Sequence, residues 1–291
     1  MPDELTPSKF VIAMKGYSAG PALSDVRVTL SSLDLRRLVR GRLRPGETRH
    51  VLAPESRFIE APEAWGRFKK SMTVVAEDPS PRKLLAMVDA LRRCASDYLF
   101  TPEAAGDGTI AIMAASLGVP VRLACREDWS EAVLANLLDY FLHSPALAVP
   151  IEPIYSLAGA IGQQHQVTLW QLFDEALGRN YFIDSEQRVS LAERWAERGL
   201  FFGNLSEGQN GFKDSKLWAD LDGLKQRLFA ARTPCAFCEH YPYCAGFWTT
   251  ARRADETCAM WRRLMDRLAA AYKQELIRTR EPAGVQEQGN A

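Results

Sequence analysis

Near its C-terminus the chain reads Thr233-Pro-Cys235-Ala-Phe-Cys238-Glu-His-Tyr-Pro-Tyr-Cys244-Ala-Gly-Phe-Trp248, and Cys258 follows at the start of a helical pattern. Four of the six cysteines therefore sit in one stretch. Two thiolates separated by two residues on a tight loop can hold one ion, and two later sulfurs can close a four-ligand site. Zinc and a cubane iron–sulfur cluster accept the same four thiolates, so the spacing leaves both open, and His240 is an alternative fourth ligand. A c-type haem needs histidine directly after the second cysteine of the pair. Glu239 occupies that place and excludes it. A disulfide-stapled loop is the plainer alternative, but nothing else in the chain points to an oxidising compartment.

The run Cys235-x2-Cys238-x5-Cys244, with Gly246 after it and Cys258 further on, resembles the SPASM domain. That domain lies at the C-terminus of radical S-adenosylmethionine enzymes that modify ribosomally made peptides. Upstream, residues 181–205 (YFIDSEQRVSLAERWAERGLFFGNL) resemble the hairpin and Gly-Asn turn that precede the cysteines in that family. The resemblance covers the last hundred or so residues before the tail.

The departures from the family pattern are equally informative. A full SPASM domain holds two clusters, and every cysteine peculiar to the first is missing here. Trp248 stands four residues after Cys244, Gly208 stands five after Gly203, and no cysteine occurs between Gln187 and Leu200. The resemblance thus implies a ligand set for one [4Fe-4S] cluster: Cys235, Cys238, Cys244 and Cys258. The Cys-x3-Cys-x2-Cys loop that generates radicals in the family is also absent, because only Cys94 and Cys125 lie outside the C-terminal group. Radical initiation by that route is not open to this chain.

With Lys plus Arg equal to Asp plus Glu, no global charge draws the protein to nucleic acid or a membrane surface. The N-terminus lacks the layout of a signal peptide and no apolar run is long enough to span a bilayer, so the expected location is the cytoplasm, where unpaired cysteines favour metal over disulfides.

From the N-terminus, Phe10–Met14 and Val26–Leu30 read as strands. Between them Gly16-Tyr-Ser18-Ala-Gly20 matches the nucleophile-elbow pattern. That device requires a strand turning sharply into a helix, and here a second strand follows, so a turn is the better reading. Asp34 can cap a helix to Leu43 that carries Arg36, Arg37, Arg40, Arg42 and Arg44. This cluster reads either as a solvated face or as a dock for an acidic peptide or partner.

Pro79 to Pro81 marks a boundary. After it Leu84, Val88, Leu91 and Ala95 recur at helical spacing, with Cys94 at the stripe's edge. Ile110–Ala115 and Val119–Ala124 are short apolar segments, and Cys125 follows as a packing thiol. A helix opens at Ser130-Glu131 with Val133, Leu134, Leu137, Leu138 and Phe141 on one face, and 147–151 reads as a strand. The alternation suggests parallel βα units, with Glu152 and Tyr155 at strand ends facing a pocket. Glu152 reads first as a salt-bridge partner. His143 and His165 carry no metal spacing. The helix from Asp255 is amphipathic through Met260, Trp261, Leu264, Met265, Leu268 and Tyr272, with Cys258 expected in its first turn, where the helix dipole favours a thiolate.

The expected architecture is therefore α/β. A small N-terminal α+β module (1–80) precedes a partial βα barrel-like or mixed-sheet core (81–180), then a SPASM-like metal-binding domain (181–279) and a disordered tail (280–291). The resemblance implies an accessory protein for modification of a ribosomally synthesised peptide, with one cluster. Its partners would be the precursor peptide, a separate iron-dependent modifying enzyme, or both, in a hetero-oligomer. Two alternatives stay open: a self-standing redox enzyme using Glu152, and a Zn2+-stapled interaction protein.

Overall fold

A computed structural model describes residues 9–13, 27–31, 50–60, 72–144, 149–163, 167–178, 180–184 and 186–280. The Gly16–Gly20 motif, the arginine cluster Arg36, Arg37, Arg40, Arg42 and Arg44, His165 and the tail after 280 lie outside them.

The chain is a mixed α/β fold around one sheet. Its strands are β1 (Lys9–Ala13), β2 (Arg27–Ser31), β3 (His50–Pro54), β4 (Met72–Val75), β5 (Ala95–Phe100), β6 (Val121–Leu123), β7 (Ile151–Glu152), β8 (Asn180–Ile183), β9 (Arg188–Ser190) and β10 (Gly203–Asn204). They run β10-β9-β8-β1-β2-β3-β4-β5-β6-β7 across the sheet. From β3 to β7 every pairing is parallel and in chain order. Parallel neighbours need a crossover, and helices supply it. These are α1 (Glu55–Glu60), α2 (Pro81–Cys94), α3 (Thr109–Ser116) and α4 (Glu131–His143). On the other side β2 pairs antiparallel with β1 and β3, and β1 lies parallel to β8 with Phe10 opposite Tyr181. The sheet therefore runs unbroken across the boundaries expected near 80 and 181.

Local signals explain these helices. The Ser80 hydroxyl accepts the backbone N–H of Lys83 at 3.3 Å, Pro81 opens α2, and Arg92 and Arg93 face the negative end of its dipole. Residues 110–115, an apolar run without clear period, form α3, started at Gly108 by a backbone φ of 89° that favours glycine. Strand alternation then sorts the faces. Val74, Tyr98, Phe100, Val121, Leu123 and Ile151 are buried with Leu84, Leu91, Leu134 and Leu137 of the helices. On the opposite face Thr73 pairs with Asp97 across β4 and β5, and its hydroxyl donates to Asp97 Oδ1 at 2.9 Å.

The last helix, α8 (Ala254–Arg280), packs on α4 and on α5 (Ile154–Gln163). Gly162 is required there, since a Cβ would come within 2.7 Å of the Tyr272 ring. Arg263 makes a bidentate pair with Glu131 at 2.6 Å and Arg267 pairs with Asp139, both on the exposed surface, where water screens them. Among the described residues no helix is long and apolar enough to cross a membrane.

Adjacent positions on α2 test this packing. Leu84 is fully buried while Leu85 is more than half exposed. Leu84→Ala is expected to lose about 2–5 kcal/mol in urea unfolding, the range for emptying a packed leucine site. Leu85→Ala is expected to stay within about 0.5 kcal/mol of the parent.

Candidate metal centre

Cys235 lies within a single 3-10 turn, Pro234–Phe237, Cys238 caps the end of that turn, and Cys244 ends the short helix Tyr241–Cys244. The chain then reverses through two left-handed residues, Ala245 at φ 49° and Gly246 at φ 74°. Glycine is needed at 246 twice over: the φ is left-handed, and a Cβ would stand 2.5 Å from Leu228 Cδ1. This reversal directs the backbone N–H groups of Phe247 and Trp248 at the Cys244 sulfur, where they favour its thiolate.

The four thiols share one electrostatic neighbourhood. Burial raises Cys244 to about 11, and the negative charges of Cys258 and Cys235 add to the rise. Cys258 is raised by burial, then by Cys235 and Cys238. Cys235 is raised by burial and by Cys238. Each of these three thiols is thus held back from ionising by the charge of another sulfur of the set, and a bound cation would reverse that sign. Cys258 does not behave as expected from sequence. α8 begins at Ala254, so Cys258 falls one turn into the helix, beyond the reach of the terminal dipole, and burial with like charge dominates.

His240 is withdrawn as a sulfur substitute by its own partner. It is buried, and its Nε2 lies 2.6 Å from Asp266 Oδ1 on α8, two turns beyond Cys258. This bond ties the cysteine loop to the helix that carries the fourth thiol. Glu239 Oε1 stands 3.9 Å from the same nitrogen, so Glu239, His240 and Asp266 bring one ligand atom each within 4.8 Å. Both carboxylates are exposed. Among the described residues no three of the four sulfurs are gathered that tightly. Tetrahedral zinc at a Zn–S length near 2.3 Å would hold them about 3.8 Å apart.

Behind Cys244 stands an aromatic wall. Phe247 packs edge-on to Trp170 at 4.8 Å and stacks on Phe173 at 5.5 Å, while Trp248 stacks on Trp261 at 5.3 Å. Trp248 and Trp261 are almost fully buried and their indole N–H groups have no hydrogen-bond partner. Trp248 follows Cys244 by four residues and Trp261 follows Cys258 by three. Four soft sulfur donors beside two unused N–H donors fit an iron–sulfur centre, whose sulfurs accept such bonds.

The wall is anchored by a buried ion pair that sequence reasoning missed. Arg194 grips Glu175 with Nε to Oε1 at 2.7 Å and Nη2 to Oε2 at 2.6 Å, and Trp195 Nε1 donates to Oε2 at 2.8 Å. The Arg194 guanidinium lies 4.9 Å over the Phe247 ring, and its Nη1 is 3.7 Å from Glu127 Oε1. Glu127 also accepts the backbone N–H of Arg252 at 2.7 Å, and Arg198 donates to the Thr250 carbonyl at 2.7 Å. Burial raises the Cys125 thiol well above its ordinary value, and the charge of Glu175 beside it acts in the same direction. Cys125 thus belongs to this network and stays a thiol. Nothing in the spacing of residues 127, 175 and 194 signals the pairing; the only clue was the density of aromatic residues around them.

Glu152 stands at the end of β7, but its carboxylate accepts both the backbone N–H and the hydroxyl of Ser156, at 3.3 and 2.8 Å. It caps α5, and among the described residues no cation pairs with it. Tyr155 is half exposed and packs edge-on to Phe141. Cys94 ends α2, away in sequence from the other thiols.

Comparison with protein-family models, characterised proteins and solved structures finds no match to this chain.

Glu175→Ala would leave the Arg194 charge buried without its partner. The expected loss is about 3–5 kcal/mol of unfolding free energy, measured by denaturant titration. A loss below about 1 kcal/mol would show that Arg194 finds water instead.

Proposed function

We propose that the chain is a partner protein in the maturation of a ribosomally made peptide, built as a partial βα barrel with a SPASM-like C-terminal region. Cys235, Cys238, Cys244 and Cys258 hold its single [4Fe-4S] cluster. The observation that carries the reading is that thiols from three separate elements share one neighbourhood: Cys235, Cys244 and Cys258 are each raised by burial and then by the charge of another cysteine of the set. The unpartnered indole N–H groups of Trp248 and Trp261 favour iron and sulfide, whose sulfurs accept such bonds.

When bound, such a cluster supplies one-electron transfer; with all four positions taken by protein sulfur it offers no open coordination site for substrate. The bond-making chemistry then belongs to a separate iron-dependent enzyme, and this chain binds that enzyme, the precursor peptide, or both. The residues near the centre serve to hold it. His240 with Asp266 fixes the loop to α8, and the Phe247 and Trp248 N–H groups stabilise the Cys244 thiolate. The aromatic wall excludes water. The described thiols are all unpaired, in keeping with a reducing compartment such as the cytoplasm.

Anaerobically purified protein is expected to be brown, with broad absorption across the visible range and about four irons per chain, the cubane stoichiometry. Colourless protein holding one zinc would leave only a structural staple. Cys235→Ala is expected to lose nearly all the iron and Cys94→Ala almost none, by elemental analysis; equal loss in both would mean that the ligand set is wrong. Co-purification with the precursor peptide or modifying enzyme of the same locus is expected, and binding to neither would reject the partner role.

A further inference from the structure

The thiols are not equally protected. Cys244 is buried, whereas Cys235 and Cys238 are partly exposed, and between them Phe237 presents 79% of its surface to solvent. A phenylalanine left this bare is costly to keep on a free surface unless something covers it. It is also not alone. Phe229, 43% exposed at the end of α7 (Leu224–Ala230), packs edge-on to Tyr241 at 5.0 Å, and Tyr241 feels the charges of Cys235 and Cys244. Pro234 and Ala231 are exposed in the same stretch.

The charges in this stretch have one sign. Residues 223–238 contain Lys225, Arg227 and Arg232 and no acidic residue. All three are exposed, while Glu239, next along, stands beside the His240–Asp266 pair. Exposed aromatic residues with three exposed cations in the same stretch have the composition of a small interface for an acidic partner.

We infer that this patch, Phe229, Phe237 and Tyr241 with Lys225 and Arg232, docks an electron-carrier protein that presents an acidic face around its own redox group. The inference rests on the cluster reading above and specifies its partner. Location favours a carrier over an acidic peptide. A chain seated here covers the accessible Cys235–Cys238 edge, a position that matters for electron transfer and is irrelevant to anchoring a peptide. A cluster held by Cys235, Cys238, Cys244 and Cys258 would take one electron from the reduced carrier across this edge, with no bond made or broken and no proton moved. Interfaces of this kind are small and transient, under about 1,200 Å², and depend strongly on ionic strength.

The test uses the iron-loaded full chain and a reduced acidic ferredoxin as the probe, with cluster reduction followed by stopped-flow absorption and binding by titration calorimetry. Lys225→Glu with Arg232→Glu is expected to keep parental iron content and spectrum, to slow reduction by ferredoxin at least tenfold at low salt, and to leave reduction by dithionite unchanged. Phe237→Ala is expected to weaken ferredoxin binding severalfold, again with iron retained. Ferredoxin reduction that is insensitive to both variants and to salt overturns the docking surface while the cluster stands. So does tight binding of a polyglutamate peptide that ferredoxin cannot displace. Protein purified without iron overturns the cluster reading and this inference with it.

Discussion

Cys235, Cys244 and Cys258 are each made harder to ionise by burial and by the charge of another cysteine of the group, so as thiolates they call for a positive centre among them. Burial raises Cys244 to about 11, and its neighbours add to the rise. Every feature of the surrounding structure bears on that conflict. Two left-handed residues turn backbone donors toward Cys244, His240 holds the loop to the helix bearing Cys258, and the aromatic wall keeps the environment dry and of low dielectric. A dry surround sharpens repulsion between thiolates and strengthens their attraction to a cation by the same factor.

The scaffold holds this arrangement through contacts distant in sequence. Glu175, Arg194 and Glu127 tie the end of the parallel sheet to Phe247 and Arg252, the segment immediately following the cysteine loop. Trp170 Nε1 donates to the Ala245 carbonyl at 3.1 Å, securing the reversal itself. α8 then carries Cys258 on a helix whose other residues, Met260, Leu264 and Leu268, are buried in the main core. The cysteine loop and the helix bearing Cys258 are therefore positioned by the βα core.

The sequence made local elements legible where capping and period agreed. Ser80-Pro81 and Ser130-Glu131 mark the starts of α2 and α4, and Val133, Leu134, Leu137 and Leu138 are buried as their spacing requires. Long-range pairing was not legible. Nothing in Lys9–Ala13 says that it will lie between Asn180–Ile183 and Arg27–Ser31, because strand order is set by the closure of the entire sheet. Residues 110–115 show why apolar runs mislead, since helix and buried strand look alike until length and flanking residues decide. Glu152 stands at a strand end as its position suggested, and its cap on Ser156 was not legible because it depends on where α5 begins. The clustering of Cys235, Cys238, Cys244 and Cys258 near the C-terminus is legible in the sequence, but the exposure of Phe237 and the burial of Cys244 depend on tertiary packing.

Anomalous diffraction from anaerobically grown crystals tests the central claim most directly, by recording data on both sides of the iron and zinc absorption edges. The account requires an iron anomalous peak enclosed by the sulfurs of Cys235, Cys238, Cys244 and Cys258. A zinc peak there, or a peak coordinated by His240 and Asp266 with Cys258 standing apart, would contradict it.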